Sequence, residues 1–422
     1  MINIIKKLGP GLLFAGAAIG VSHLVQSTRA GADYGFTLIW ALILANIIKY
    51  PFFLFGPKYT MATGETLLHG YKKMSKYYLV AYFILSIVTM FTIQTAVTIV
   101  TAGLAIELFG ISSNITTWAT IITIVCVLIL IIGRYKFLDN LMKFVIILLT
   151  LSTVVAVFFA GFNSNTSIEI NQVFPRTEVG IIFLAAFMGW MPAPMDVSIW
   201  QSIWTLEKTK KEDSFKIKDA LFDFNTGYLT TIILGLSFLS LGAFVMYGSG
   251  EVFSNSGGEF AKQLINLYTS SIGDSVFLII AIAAFTTMFS TTITCLDASP
   301  RAMKISSELL NLDGFKSYNL WIFLLSAGTL SIFIFFISEM GSLVKIATIL
   351  SFITAPFYAY INYKLINSSH TPKKFRPSKF INILSVIGLF FLACFSLWYI
   401  TCLLYTSPSP RDATLSRMPS SA

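Results

Sequence analysis

Two short stretches of this 422-residue chain concentrate groups able to hold a ligand. The first carries Gly16, Gly20, Ser22 and His23; the second carries Gly189, Met191, Pro192, Pro194 and Asp196; both lie in strongly apolar surroundings. Pro192 and Pro194 lack an N–H, and each clashes with the carbonyl one turn earlier, so carbonyls near Met188 and Trp190 lose their helical partners. A simple proline kink is one reading. Two prolines followed by an aspartate also read as an unwound segment, whose freed carbonyls must face protein, water or a ligand. Asp196 reads either as a functional carboxylate at membrane depth or as the N-cap of the second half of a broken helix. His23 is placed to be a ligand, a proton carrier, a partner of Asp196 or a hydrogen-bonded core residue. Lys49, next to Tyr50 and Pro51, reads as lying near the inner end of its span with its ammonium snorkelling to the interface. Asp297 and Arg301, either side of Pro300, read as a helix exit with a local charge pair.

The elements that position these residues follow from composition. The chain is 55% hydrophobic and 12% charged, with a mean hydropathy of +0.77, whereas soluble chains carry about 25% charged residues. Eleven windows are apolar and long enough to cross a bilayer, near 10–30, 37–55, 78–107, 115–133, 138–160, 179–204, 219–247, 275–296, 318–338, 342–365 and 380–401. The expected fold class is therefore all-α integral membrane, and the lipid bilayer is its first partner. The net charge of +9 does not imply a nucleic-acid partner, because the basic residues fall in alternate loops. With the N-terminus in the cytoplasm, twenty-one Lys and Arg lie inside against Arg29, Arg176 and Lys262 outside, the positive-inside pattern. An integral, multi-pass protein of a bacterial cytoplasmic membrane is expected; composition fixes no oligomeric state.

The first apolar stretch lacks a cleavage site and needs no signal-peptide reading. The four cysteines show no C-x-x-C spacing, so neither a disulfide frame nor a zinc site is expected. The loops are too short to bury a second core, and residues 1–401 read as one transporter domain. The stretch 248–274 reads as holding a short amphipathic helix. From Cys402 the text changes abruptly, and residues 402–422 resemble a translated sequencing adapter, a non-native tail. The two interrupted stretches lie five spans apart, so a second copy of spans 1–5 would lie inverted in the membrane. Repeats at about 10–160 and 179–365, with an extra helix at about 380–401, are expected.

Gly9-Pro10-Gly11, followed by Arg29-Ala30-Gly31-Ala32-Asp33-Tyr34-Gly35, resembles the opening of the Nramp (natural resistance-associated macrophage protein) family of divalent metal transporters, and the resemblance returns at Leu108-Phe109-Gly110-Ile111 and Met191-Pro192. It implies a 5+5 inverted-repeat fold with metal bound between broken helices 1 and 6. The family's helix 1 signature D-P-G-N falls on Gly20, Val21, Ser22 and His23, so its carboxylate is a glycine and its asparagine a histidine. The M-P-H of helix 6 reads Met191-Pro192-Ala193, which keeps a thioether suited to soft transition metals. The helix 3 acids associated with proton passage fall on Gln94 and Val97. By position the resemblance carries over the carbonyls of Ala17 and Met188, and Asp196, new to the pattern, stands as a replacement carboxylate with His23 facing it.

Three functions are open at this stage. The first is a secondary transporter, a symporter by resemblance, moving a divalent metal ion by alternating access, with Asp196, Met191 and His23 as ligands and no resident cofactor. The second is a transporter of the same fold for an organic solute or amino acid held at the N–H groups near Gly20 and Ser22. The third, an intramembrane enzyme, lacks any H-E-x-x-H or G-x-S-x-G motif.

Overall fold

The computed structural model describes residues 8–132, 135–163, 171–212, 214–254, 256–273, 277–335 and 340–406; most of the string read as adapter-derived lies outside them. Every regular element among the described residues is helical. In chain order they are α1 (Pro10–Ala18), a π-helical turn (Val21–Ser27), α2 (Thr28–Tyr34), α3 (Ile39–Thr63), α4 (Leu67–Met74), α5 (Lys76–Phe109), α6 (Ile115–Ile131), α7 (Tyr135–Asn163), α8 (Glu178–Trp190), α9 (Val197–Lys211), α10 (Ile217–Val245), α11 (Gly257–Ile272), α12 (Phe277–Leu310), a 3-10 turn (Asp313–Phe315), α13 (Tyr318–Phe335), α14 (Met340–Asn367), a second 3-10 turn (Lys373–Phe375) and α15 (Lys379–Thr406).

Eight of the described helical segments are long and apolar enough to cross a bilayer, and three shorter apolar helices complete the set of eleven expected from the windows. Span 1 is α1, the π turn and α2; span 6 is α8 and α9. Apolar side chains such as Leu151, Phe158, Phe323 and Phe390 stay exposed on the flank, as lipid rather than water requires. The helix expected within 248–274 is α11, and Phe260, Leu264 and Ile265 on it are buried. Two boundaries differ from the expectation. Span 2 does not end at 55 but runs through Pro51 and Pro57 to Thr63. The helix of span 8 does not end near Asp297, because α12 continues through Pro300 to Leu310.

The motifs at the start of the chain are packing devices. The carboxylate of Asp223 on α10 accepts from Gly9 N at 2.9 Å and Gly11 N at 2.6 Å, an anion at the positive end of α1. A Cβ on Gly11 would come within 2.0 Å of Asp223 O, and one on Gly227 within 2.0 Å of Gly11 O. One helix length away the contact repeats, with Gly31 against Leu239 O at 1.9 Å and Gly242 against Thr28 O at 2.2 Å. Small residues let membrane helices approach until backbones touch, and both ends of span 1 are fixed to α10 in this way. Arg29 donates to Ser254 O and lies 5.5 Å over the ring of Phe260, which fastens the α2 end of span 1 to α11.

Candidate functional site

Span 1 breaks where the glycine and histidine stretch predicts. α1 ends at Ala18, Ile19 and Gly20 leave helical geometry, and the chain resumes as the π turn from Val21. A Cβ on Gly20 would sit 2.8 Å from Thr291 Cγ2, so α12 packs over the break and leaves no room for a side chain there. The Thr291 hydroxyl donates to Gly16 O at 2.9 Å, and the Ser22 hydroxyl lies 2.6 Å from Ala18 O and 3.2 Å from Pro192 O. His23 is fully buried. Its Nε2 is 2.9 Å from Thr231 O on α10 and therefore carries a proton, since a carbonyl only accepts. Its Nδ1 lies 2.7 Å from Ser22 Oγ and 3.0 Å from Ala18 O. Both ring nitrogens thus meet protein groups.

Span 6 breaks over Met191–Asp196, between α8 and α9, and the Met191–Pro192 peptide is cis. The carbonyls freed by the prolines have a partner that sequence reasoning placed elsewhere. Lys49 Nζ donates to Met188 O at 2.8 Å and to Gly189 O at 2.7 Å, with the residue 0% exposed. Lys49 does not snorkel. It lies in the middle of the longer α3, and the negative end of α8 is the charge within its reach. Trp190 Nε1 donates to Ser351 Oγ and Ala347 O, which anchors the end of α8 to α14.

Asp196 is 7% exposed and occupies the N-cap position of α9, but its side chain makes no capping bond. Its Oδ1 is buried without a hydrogen-bond partner. The carboxyl group lies within electrostatic reach of Tyr82 on α5, Cys295 on α12 and Tyr358 on α14, whereas the His23 ring is held on α10. No hydrogen bond joins the two. The Met191 and Met188 side chains pack in an apolar cluster with Leu42, Leu184 and Leu239.

Between the two breaks lies a cavity of about 20 Å³, lined among others by Ala17, Ala18, Ser22, Pro194, Val197 and Thr291. Of the expected set, Ala17, Ser22 and Pro194 face it. Gly20, Pro192 and Asp196 adjoin the same junction along the chain, while the side chains of His23, Met188 and Met191 are turned into neighbouring packing. Among the described residues no three His, Cys, Asp or Glu side chains converge as a metal cage. Of the two span 3 positions, Val97 lines the cavity and Gln94 donates to Thr98 Oγ1 and Thr292 O.

The sequence model of natural resistance-associated macrophage protein-like proteins matches residues 11–401. The chain belongs to the Nramp family. An uncharacterized protein, PM0681, of Pasteurella multocida is 38% identical over 400 residues, covering 93% of this chain and 91% of its own. The divalent metal cation transporter MntH of Listeria welshimeri is 22% identical over 291 residues, 66% of this chain and 63% of its own. Among solved structures, a manganese transporter of Eremococcus coleocola superposes with a TM-score of 0.72 at 15% identity, covering 97% of this chain and 90% of the other. Mhp1, a nucleobase-cation-symport-1 family transporter, gives 0.57 at 14% identity over 96% and 95%. Both likenesses are of fold. This Nramp chain is thus a multi-pass membrane protein of the inverted-repeat transporter fold, and its family is one of transporters, not enzymes.

The groups that sequence reasoning missed are Lys49 as a carbonyl partner, Thr291 and Asp223. Thr291 had a signal: Thr286, Thr287, Ser290, Thr291, Thr292 and Thr294 put six hydroxyls into one apolar span, more than packing alone calls for.

Proposed function

We propose that this Nramp protein moves a divalent metal ion across the membrane by alternating access, with the ion held where the two helix breaks meet. The cavity at that junction carries the reading. About 20 Å³ holds one or two bodies the size of water, whereas sites for organic ligands run to roughly 300–1,000 Å³. Donors at the junction suit a cation: the Asp196 carboxylate, the hydroxyls of Ser22 and Thr291, and the backbone around Ala17 and Pro192. Met191 adds a thioether beside them once its side chain turns from the apolar cluster, a preference for softer ions. We also place the N-terminus in the cytoplasm, the protein in a bacterial cytoplasmic membrane, and the repeats at 10–160 and 179–365, on the charge bias of the loops and the five-span spacing of the breaks.

Uptake into proteoliposomes by purified protein tests this, with manganese, cadmium, magnesium, calcium and a set of amino acids offered separately. Saturable uptake of at least one divalent cation, and of no amino acid, is expected. Amino-acid uptake without cation uptake would overturn the reading. Orientation is checked in cells by thiol labelling from outside, which should reach Lys262→Cys and not Lys374→Cys.

A further inference from the structure

Lys49 is a buried lysine that the transport reading does not use. Its ammonium is held by two consecutive carbonyls, Met188 O and Gly189 O, at the end of a helix whose next turn has been removed by Pro192. Carbonyls at a helix C-terminus carry the negative end of the macrodipole, and at this depth there is no water to satisfy them. Met188 O is also the position that the family resemblance carries over as a metal-binding carbonyl. An ion bound there would lie within about 4 Å of the ammonium, where two positive charges repel strongly even at moderate dielectric.

We propose that the carbonyl end of α8 is a cation site permanently filled by the tethered ammonium of Lys49, which excludes a free ion from Met188 O and confines the transported ion to the Asp196 side of the break. The inference rests on the ion-transport reading for its second half only; the first half concerns Lys49 and two carbonyls. The chemical class the site takes is a small cation with hydrogen-bonding or oxygen-coordinating character, an alkylammonium or a metal ion. A lysine that merely spaced α3 from α8 would serve as well with a neutral side chain of the same length. A tethered cation cannot.

The test compares wild type with Lys49→Ala, Lys49→Met and Lys49→Arg, each purified whole in detergent. Manganese binding is counted by calorimetry, and thermal stability is followed with methylammonium chloride against choline chloride at equal concentration. Lys49→Ala opens the carbonyls, so it should bind one manganese per chain more than wild type, or gain a few degrees of melting temperature from methylammonium and none from choline. Wild type and Lys49→Arg should do neither. A folded Lys49→Ala with wild-type stoichiometry and no methylammonium response overturns the proposal. If Lys49→Ala does not fold, Lys49→Met decides: wild-type stability there shows that the carbonyls need no cation and overturns it, and a lowered melting temperature with Lys49→Arg near wild type supports it. Absence of manganese binding by wild type sinks the metal-transport reading instead, and leaves the difference between wild type and Lys49→Ala as the measure of this one.

Discussion

The two helix breaks differ in how their polar groups are satisfied. At the break in span 1 the polar groups nearest the cavity meet other protein groups: Ser22 on Ala18 O, His23 on Thr231 O and, from α12, Thr291 on Gly16 O. The break in span 6 is balanced by charge. A lysine holds the carbonyl end of α8, and a buried carboxylate with an unpartnered oxygen stands at the start of α9. A break of the first kind is a structural joint, tied to α10 and α12. One of the second kind leaves a charge available to a ligand, so the functional weight in this chain sits on span 6.

The strongest way to break that comparison is Asp196→Asn. An unpaired buried carboxylate contributes little to folding and costs several kcal/mol of desolvation, so the neutral variant should be at least as stable as wild type. Cation uptake, by contrast, should fall by about two orders of magnitude or more, as expected when the one charged ligand at the site is neutralised. Melting temperature and uptake measured on the same preparation decide it. Undiminished uptake would move the ion site away from span 6.

A smaller effect is expected from restoring the family's carboxylate by Gly20→Asp. The new Cβ meets Thr291 Cγ2, and overpacking of this kind costs about 1–3 kcal/mol. Melting temperature should fall, and Thr291→Ala, introduced with it, should recover most of the loss. Additive losses in the double variant would show that the glycine is required for another reason. In physical terms, α12 and the missing carboxylate are two sides of one packing decision.

The sequence made the eleven spans and both breaks legible, because apolar runs, glycines and prolines act locally and leave their mark where they act. The partners of the breaks were less so. Lys49 reads as terminal because its apolar window ends at 55, but the helix continues through Pro51 and Pro57 to Thr63. The pairing of His23 with Asp196 was expected from their similar depth. Depth does not set the direction of a side chain, and the glycine contacts of α10 turn span 1 so that the imidazole meets Thr231 O. Gly9-Pro10-Gly11 and Gly31 are motifs of backbone contact; no count of chemical groups could separate them from a ligand loop. Asp297 illustrates the same limit, since its partners include Tyr318 and Arg301, and Arg301 reaches on to Glu207 of α9.

The smallest effect, and the sharpest test of the joint reading of span 1, is that of His23→Gln. Glutamine has an amide N–H₂ that can reach a carbonyl from a similar distance, so part of the bond to Thr231 O survives. His23→Leu removes it and leaves that carbonyl buried without a donor, at a cost of about 1–3 kcal/mol. Stability should therefore rank wild type, then Gln, then Leu, with Gln within about 1 kcal/mol of wild type. Cation uptake per folded molecule should stay within a factor of about two for both variants, because His23 does not line the cavity and the ion's one charged ligand, Asp196, lies across the junction. The measurement is uptake normalised to folded protein, with its dependence on external pH. If His23→Gln kept its melting temperature but lost uptake, or flattened its pH profile, the imidazole would be acting on the ion or its coupled proton. The contrast between a structural break in span 1 and a charged one in span 6 would then no longer hold.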